Sequence, residues 1–265
     1  MIIDFHTHIF PEKIAERTIE NLARRSNITP SFNGQYEGLI EQMKTAGVTL
    51  AVSLPVLTKK EQFDSVLTFA TNINKTSKEI ISFAGIHPLC EDIKGKLQAV
   101  KDAGIKGVKI HPDYQDTLID DEKYIEILTV AKELDLIVVT HAGVDCAYRE
   151  CTTMCHPKRA RKVIDRVGHS KFVLAHMGGS EMVDEFLTHV AGSDVYIDTS
   201  YVLKYITKEQ FYKILEKHGE DKILFATDAP WSSMASDLEI LDSYNLCKST
   251  LDKILYKNAQ KLLNL

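Results

Sequence analysis

Eight short apolar runs, each followed by a stretch of helical character, divide this chain and leave few folds open to it. The runs are Ile2–His8, Val48–Leu54, Ile80–Ile86, Ile105–Ile110, Leu136–Thr140, Phe172–Ala175, Asp194–Asp198 and Lys222–Ala226. Helical sequence lies between them, over about Pro11–Ser26, Glu37–Ala46, Lys60–Ser77, Ile93–Ala103, Asp121–Leu134, Lys158–Val167, Glu181–Val190 and Thr207–Lys217, with two more helices at the end. Near-continuous apolar strands alternating with amphipathic helices belong to a parallel sheet covered by helices. Eight such units in 265 residues fit an α/β fold of the closed (β/α)8 TIM barrel kind, one domain over residues 1–265. An open doubly wound sheet is the rival, but no glycine-rich phosphate loop follows the first strand.

Composition narrows the partners. Net charge is −5, with both signs interspersed, so neither a nucleic acid nor a membrane surface is expected as a partner. No apolar run approaches the ~20 residues of a transmembrane helix. The chain enters a strand without a basic leader or an apolar signal segment, and a cytoplasmic location is expected. The five cysteines, Cys90, Cys146, Cys151, Cys155 and Cys247, are an odd number, which argues for free thiols in a reducing compartment. The oligomeric state stays open, a homodimer included.

In a (β/α)8 barrel the reacting groups sit at the C-terminal strand ends. His6 and His8 end the first run; side chains alternate along a strand, so they share a face, roughly 7 Å apart at Cα. His111 ends the fourth run, His141 the fifth, His176 the sixth, and Asp228 follows the eighth. Imidazole nitrogen and carboxylate oxygen suit zinc and similar divalent ions. Asp4 shares the parity of His6 and is expected to point into the barrel below it. Lys109 shares the parity of His111. The irregular stretch Gly143–Pro157 is expected at the barrel mouth, where Asp145, Tyr148 and Arg149 could meet a polar substrate. Its cysteines and His156 lack the second ligand pair that a structural zinc would need.

Five motifs carry a resemblance: Ile3-Asp4-Phe5-His6-Thr7-His8, Gly107-Val108-Lys109-Ile110-His111-Pro112, Thr140-His141-Ala142-Gly143, Ala175-His176-Met177-Gly178-Gly179 and Thr227-Asp228-Ala229-Pro230-Trp231. In this order, with Asn258-Ala259 near the end, they resemble the amidohydrolase superfamily. The branch they resemble is the amidohydrolase-related one, which includes aminocarboxymuconate semialdehyde decarboxylase and the resorcylate decarboxylases. The resemblance implies one divalent metal ion, zinc by preference, held by His6, His8, His141 and Asp228. It places His176 beside the activated water as the acid–base group, with Asp228 able to accept a proton as well. His111, Arg149 and Trp231 are the candidate substrate contacts. In binuclear relatives a lysine at the position of Lys109 is carboxylated and bridges two ions, but this branch resembles the mononuclear type.

The expected activity is therefore metal-dependent hydrolysis of a small-molecule amide, ester or lactone. The alternative is non-oxidative decarboxylation of an aromatic or unsaturated carboxylic acid, for which Arg149 would meet the carboxylate. A nuclease of the TatD kind would want a glutamate where the fourth run reads Gly107-Val108-Lys109. A catalytically silent barrel would have lost ligands, and all four are present.

Overall fold

A computed structural model describes all 265 residues. Its strands are β1 Ile3–Thr7, β2 Leu50–Ser53, β3 Ile80–Ser82 continued by Ala84–Gly85, β4 Gly107–Ile110, β5 Ile137–Thr140, β6 Phe172–Leu174, β7 Tyr196–Asp198 and β8 Ile223–Leu224. Every pairing between neighbours is parallel. At Phe83 the third strand breaks step, yet its N–H still donates to Ser53 O at 2.9 Å. The ring closes between the first and last strands: Phe5 N–H donates to Phe225 O (2.9 Å), Asp228 N–H to His6 O (2.8 Å) and His8 N–H to Ala229 O (2.7 Å). The chain is a (β/α)8 barrel, as its alternation predicts.

Two helices, α1 Glu12–Ser26 and α2 Tyr36–Ala46, lie between β1 and β2. The crossovers that follow are α3 Phe63–Thr76, α4 Ile93–Asp102, α5 Glu122–Glu133, α6 Pro157–Val167, α7 Val183–His189 and α8 Lys208–His218. Met234–Ser243 and Asn258–Leu263 come after β8. The helix ends carry their expected signals. Asp121 caps α5, Thr207 and Gln210 form a capping box on α8, and left-handed Gly47 and Gly168 stop α2 and α6. The segment expected to be helical from Glu181 becomes helical only at Val183, because Glu181 is itself left-handed (φ 60°).

Of the two helices after β1, α2 is the barrel's covering layer. Its Leu39 and Met43 are buried in one cluster with Ala51 and Ile80. By contrast α1 buries only Ala15 and Ile19, so it is an addition to the barrel rather than part of its wall.

The barrel interior is apolar below and polar above. Phe5, Val52, Phe83, Val139, Val173 and Leu224 form its packed layers, and Leu262 and Leu263 of the last helix join the same cluster. Lys106, just before β4, donates to Leu263 O, which places that helix at the N-terminal end of the barrel. Since side chains alternate, the residues two further along each strand emerge at the opposite rim, and these include His141 after Val139.

Candidate metal and active site

Three donor atoms, from His6, His8 and Asp228, lie within 4.8 Å of one another at this upper rim. The backbone works to bring them together. A register shift between Asp4 and Thr7 resets the alternation of β1. Ile3 and Phe5 therefore belong to the interior cluster, while Asp4 does not point into the barrel below the histidines. The expectation for Asp4 is corrected on this point. Its buried carboxylate clamps β1 to the end of β8, accepting the N–H groups of His6 and Thr227 (3.1 Å each) and the Thr227 hydroxyl. Asp228 is left-handed (φ 66°), as is His176 (φ 60°); such backbone is costly away from glycine and is found where a site holds it.

Hydrogen bonds behind each ring settle which nitrogen carries the proton. His6 Nδ1–H donates to Asp198 Oδ2 at 3.0 Å. His8 Nδ1–H donates to Leu54 O at 2.9 Å. His176 Nδ1–H donates to Ser200 O at 3.0 Å. All three rings thus turn Nε2 to the rim, the arrangement of a histidine ligand backed by an acceptor. His8 Nε2 then faces Asp228 Oδ1 at 2.9 Å, with Asp228 Oδ1 also 3.4 Å from His6 Nε2. A cation satisfies this contact, either a proton shared by His8 and Asp228 or a metal ion that also meets His6. Lys109 stands beside the site, its Nζ donating to His6 Nε2 at 3.1 Å.

His141 stands one step away. It forms a second trio with His111 and Asp145. Its Nδ1–H donates to His176 Nε2 at 2.9 Å, which leaves its buried Nε2 without a partner. Asp113 Oδ2 is likewise buried and unpartnered, 3.9 Å from that nitrogen. His176 bridges the two trios, its ring 5.5 Å from that of His6 and 4.7 Å from that of His141. The donor chemistry fits a divalent ion: neutral imidazoles with free lone pairs and an ionised carboxylate.

The electrostatics run the same way. Burial, with Lys109 next to it, lowers His6 to about 4, and burial lowers His176, His141 and His111 too, so these rings are neutral at pH 7. Burial alone would raise Asp228, but His6, His8 and His176 outweigh it and hold the carboxyl well below its usual range. Asp198 follows the same balance: burial raises it, while His6, His176 and Ser200 bring it to about 2. Burial takes Lys109 down to about 8.

Asp198 was not singled out by the sequence. Besides His6 it accepts the N–H of His176 (3.0 Å) and the N–H (3.1 Å) and hydroxyl of Ser200. One carboxylate thereby orients two of the rim histidines. The signal was available: Asp198 ends β7 two residues after Tyr196, which faces the barrel interior.

The rim opens into a cavity of about 590 Å³. His111 and Trp231 line it, with His111 stacked on His141 (4.4 Å between centroids) and its Nε2 3.5 Å from Asp145 Oδ2. Val144, Asp145 and Cys146 bring the stretch after β5 to the mouth, as expected, and all five cysteines are free. Arg149 does not line the cavity. Its exposed guanidinium pairs with Glu181 (2.7 Å), because the loop turns its side chain outward toward that carboxylate.

This barrel with its rim of histidines and carboxylates belongs to a defined class. The chain is a member of the amidohydrolase family, whose model matches residues 3–265, and with that membership it is an enzyme. Comparison with curated protein sequences gives no match. Among solved structures, a TIM-barrel protein from Bordetella bronchiseptica is similar at 16% identity, covering 99% of this chain and 98% of that one, with a TM-score of 0.78. A dihydroxybenzoic acid decarboxylase from Polaromonas, solved with manganese and 2-nitroresorcinol, is similar at 15% identity, over 100% and 97% of the two chains, with a TM-score of 0.75. A probable 2-pyrone-4,6-dicarboxylic acid hydrolase from Acinetobacter baumannii, solved with citric acid, matches at 17% identity over 100% and 99%, with a TM-score of 0.70. At these identities the likeness carries the fold. No helix is long and apolar enough to cross a membrane.

Proposed function

We propose that the protein is a metal-dependent hydrolase of a small-molecule amide, ester or lactone. The observation that carries this reading is the convergence of His8 Nε2, Asp228 Oδ1 and His6 Nε2 on one point of the rim, with Asp228 Oδ1 2.9 Å from His8 and 3.4 Å from His6. His6, His8 and Asp228 would hold the ion, with His141 as the further nitrogen donor, and zinc suits this nitrogen-rich set. The ion supplies Lewis acidity that polarises a carbonyl oxygen and makes water acidic near pH 7.

The chain's own groups then divide the remaining work. Asp228, ionised throughout the neutral range, can accept a proton from a water at the rim. His176, neutral with its lone pair at Nε2, can take that proton and return it to the leaving nitrogen or oxygen. To do so it gives up the bond it accepts from His141. Asp198 keeps the His176 backbone and the His6 ring in place.

The alternative is a decarboxylase, whose substrate carboxylate would meet the bound ion or Lys13, since no arginine lines this cavity and Lys109 is bonded to His6. The test is a panel of amides, esters, lactones and aromatic carboxylic acids, offered to zinc-loaded and chelator-stripped protein, with products weighed by mass spectrometry in 18O-labelled water. Metal-dependent cleavage with uptake of one labelled oxygen is expected. Loss of carbon dioxide without that uptake would overturn the reading in favour of decarboxylation.

A further inference from the structure

The cavity extends beyond its polar floor, and its volume of about 590 Å³ is that of an ordinary small-molecule site, about 300–1,000 Å³. The extra space lies between two helices that are both amphipathic toward it. From α1, Ile14, Thr18 and Leu22 line the cavity. They recur every fourth residue, which is one stripe of a helix, and the stripe runs about 12 Å along the axis. From α3 and the turn before it, Gln62, Ser65, Val66 and Phe69 line the cavity, with Gln62, Val66 and Phe69 on one helix face. Lys13 is the one charged side chain that these two helices contribute.

The stripe on α1 borders the face that holds the helix down, since Thr18 and Leu22 each lie three residues beyond a buried anchor. Ala15 and Ile19 are the buried anchors, whereas Ile14 is 50% exposed and Leu22 only half-buried. Arg25, near the end of the same helix, lays its guanidinium over the Tyr148 ring at 4.0 Å and ties α1 to the loop after β5. An added helix, tied to that loop and turning Ile14 and Leu22 toward the cavity, makes a slot beside the polar rim. Apolar area turned toward a water-filled cavity is unfavourable until something covers it.

We propose that the substrate is an amphiphile, an acyl ester or amide with a saturated chain of medium length. Its carbonyl end sits at the rim of His8 and Asp228, and its chain lies in the slot between α1 and α3. The assignment of the carbonyl end rests on the hydrolase reading above; the assignment of the chain rests on the two stripes. Because the chain is bound alike in ground and transition states, its length acts on KM and on kcat/KM more than on kcat.

Two homologous series test this on the zinc-loaded protein, each kept below its critical micelle concentration. One is the methyl esters and N-methyl amides from acetyl to dodecanoyl, read as kcat/KM. The other is the saturated carboxylates from acetate to dodecanoate, read as Kd by calorimetry, which needs no turnover. Each methylene should improve either quantity about three- to fourfold until the slot is full. Leu22→Asn and Val66→Asn, on opposite walls, should each flatten the dependence on length. Turnover that is indifferent to chain length, with acetate and decanoate binding equally, would overturn the proposal and leave the hydrolase reading intact. Decanoate binding that is tight and dependent on Leu22, without turnover of any ester or amide, would uphold the slot and defeat the hydrolase reading. Loss of length dependence in neither variant would also overturn it, since the chain would then lie elsewhere.

Discussion

Replacing Asp198 with asparagine changes one atom in size and reverses one hydrogen bond. Oδ1 of Asp198 accepts from three donors, the N–H of His176 and the N–H and hydroxyl of Ser200. In the variant the amide oxygen must take that place, so the NH2 group falls where Oδ2 now accepts from His6 Nδ1 at 3.0 Å. His6 would then have to accept at Nδ1 and carry its proton on Nε2, the nitrogen proposed to meet the metal. Loss of such an outer partner weakens metal binding by about 10–100-fold, or about 1.4–2.7 kcal/mol. The fold loses one charge-assisted bond, about 1.5–3 kcal/mol. Chelator competition gives the affinity, a thermal melt reports the fold, and 15N-detected imidazole spectra give the His6 tautomer. A folded Asp198→Asn protein with unchanged affinity and its Nδ1–H tautomer intact would refute the assignment of Asp198 as the group that orients His6.

Other expectations follow from neighbouring features. His176→Asn should keep the metal while turnover falls about 10²–10⁴-fold, as for a lost acid–base group; loss of the ion, measured by elemental analysis, would make His176 a ligand instead. Arg149→Ala should leave KM within about twofold, because an exposed pair such as Arg149 with Glu181 adds little and lies outside the cavity. Asp237 is buried with Oδ2 unpartnered, and burial raises its carboxyl to about 7. Its folded-state value lies above the unfolded one, so stability falls as pH rises through this window and the penalty is complete above about 7. Asp237→Asn should therefore gain on the wild type by a few kcal/mol between pH 4 and pH 8, read from urea melts at both; a gap that does not change with pH would count against the argument.

How much of this was legible in the sequence differs from element to element. The barrel was, because period and length are local properties: all eight strands and their crossovers lie within a few residues of the expected spans. So was the location of the rim histidines, since a residue that ends a barrel strand can only emerge at the mouth. Asp4 was misplaced because alternation holds only while the register does, and the shift between Asp4 and Thr7 depends on how β1 seats against β2. Asp198 was missed because its partner His6 lies 192 residues away, and a strand-ending aspartate has no mark of its own. Arg149 read as a substrate contact because its loop position was right; its direction depends on Glu181, from the next crossover. The slot under α1 was invisible for a related reason. Ile14 and Leu22 look like the edge of a core face until the fold shows that only Ala15 and Ile19 are covered.

Anomalous diffraction at the zinc edge from crystals of metal-replete protein addresses the proposed centre most directly. One peak is expected, within bonding distance (about 2.0–2.2 Å) of the Nε2 atoms of His6 and His8 and a carboxylate oxygen of Asp228, with Lys109 withdrawn from His6. No peak there, a peak confined to His111, His141 and Asp145, or two peaks bridged through Lys109 would contradict the mononuclear site.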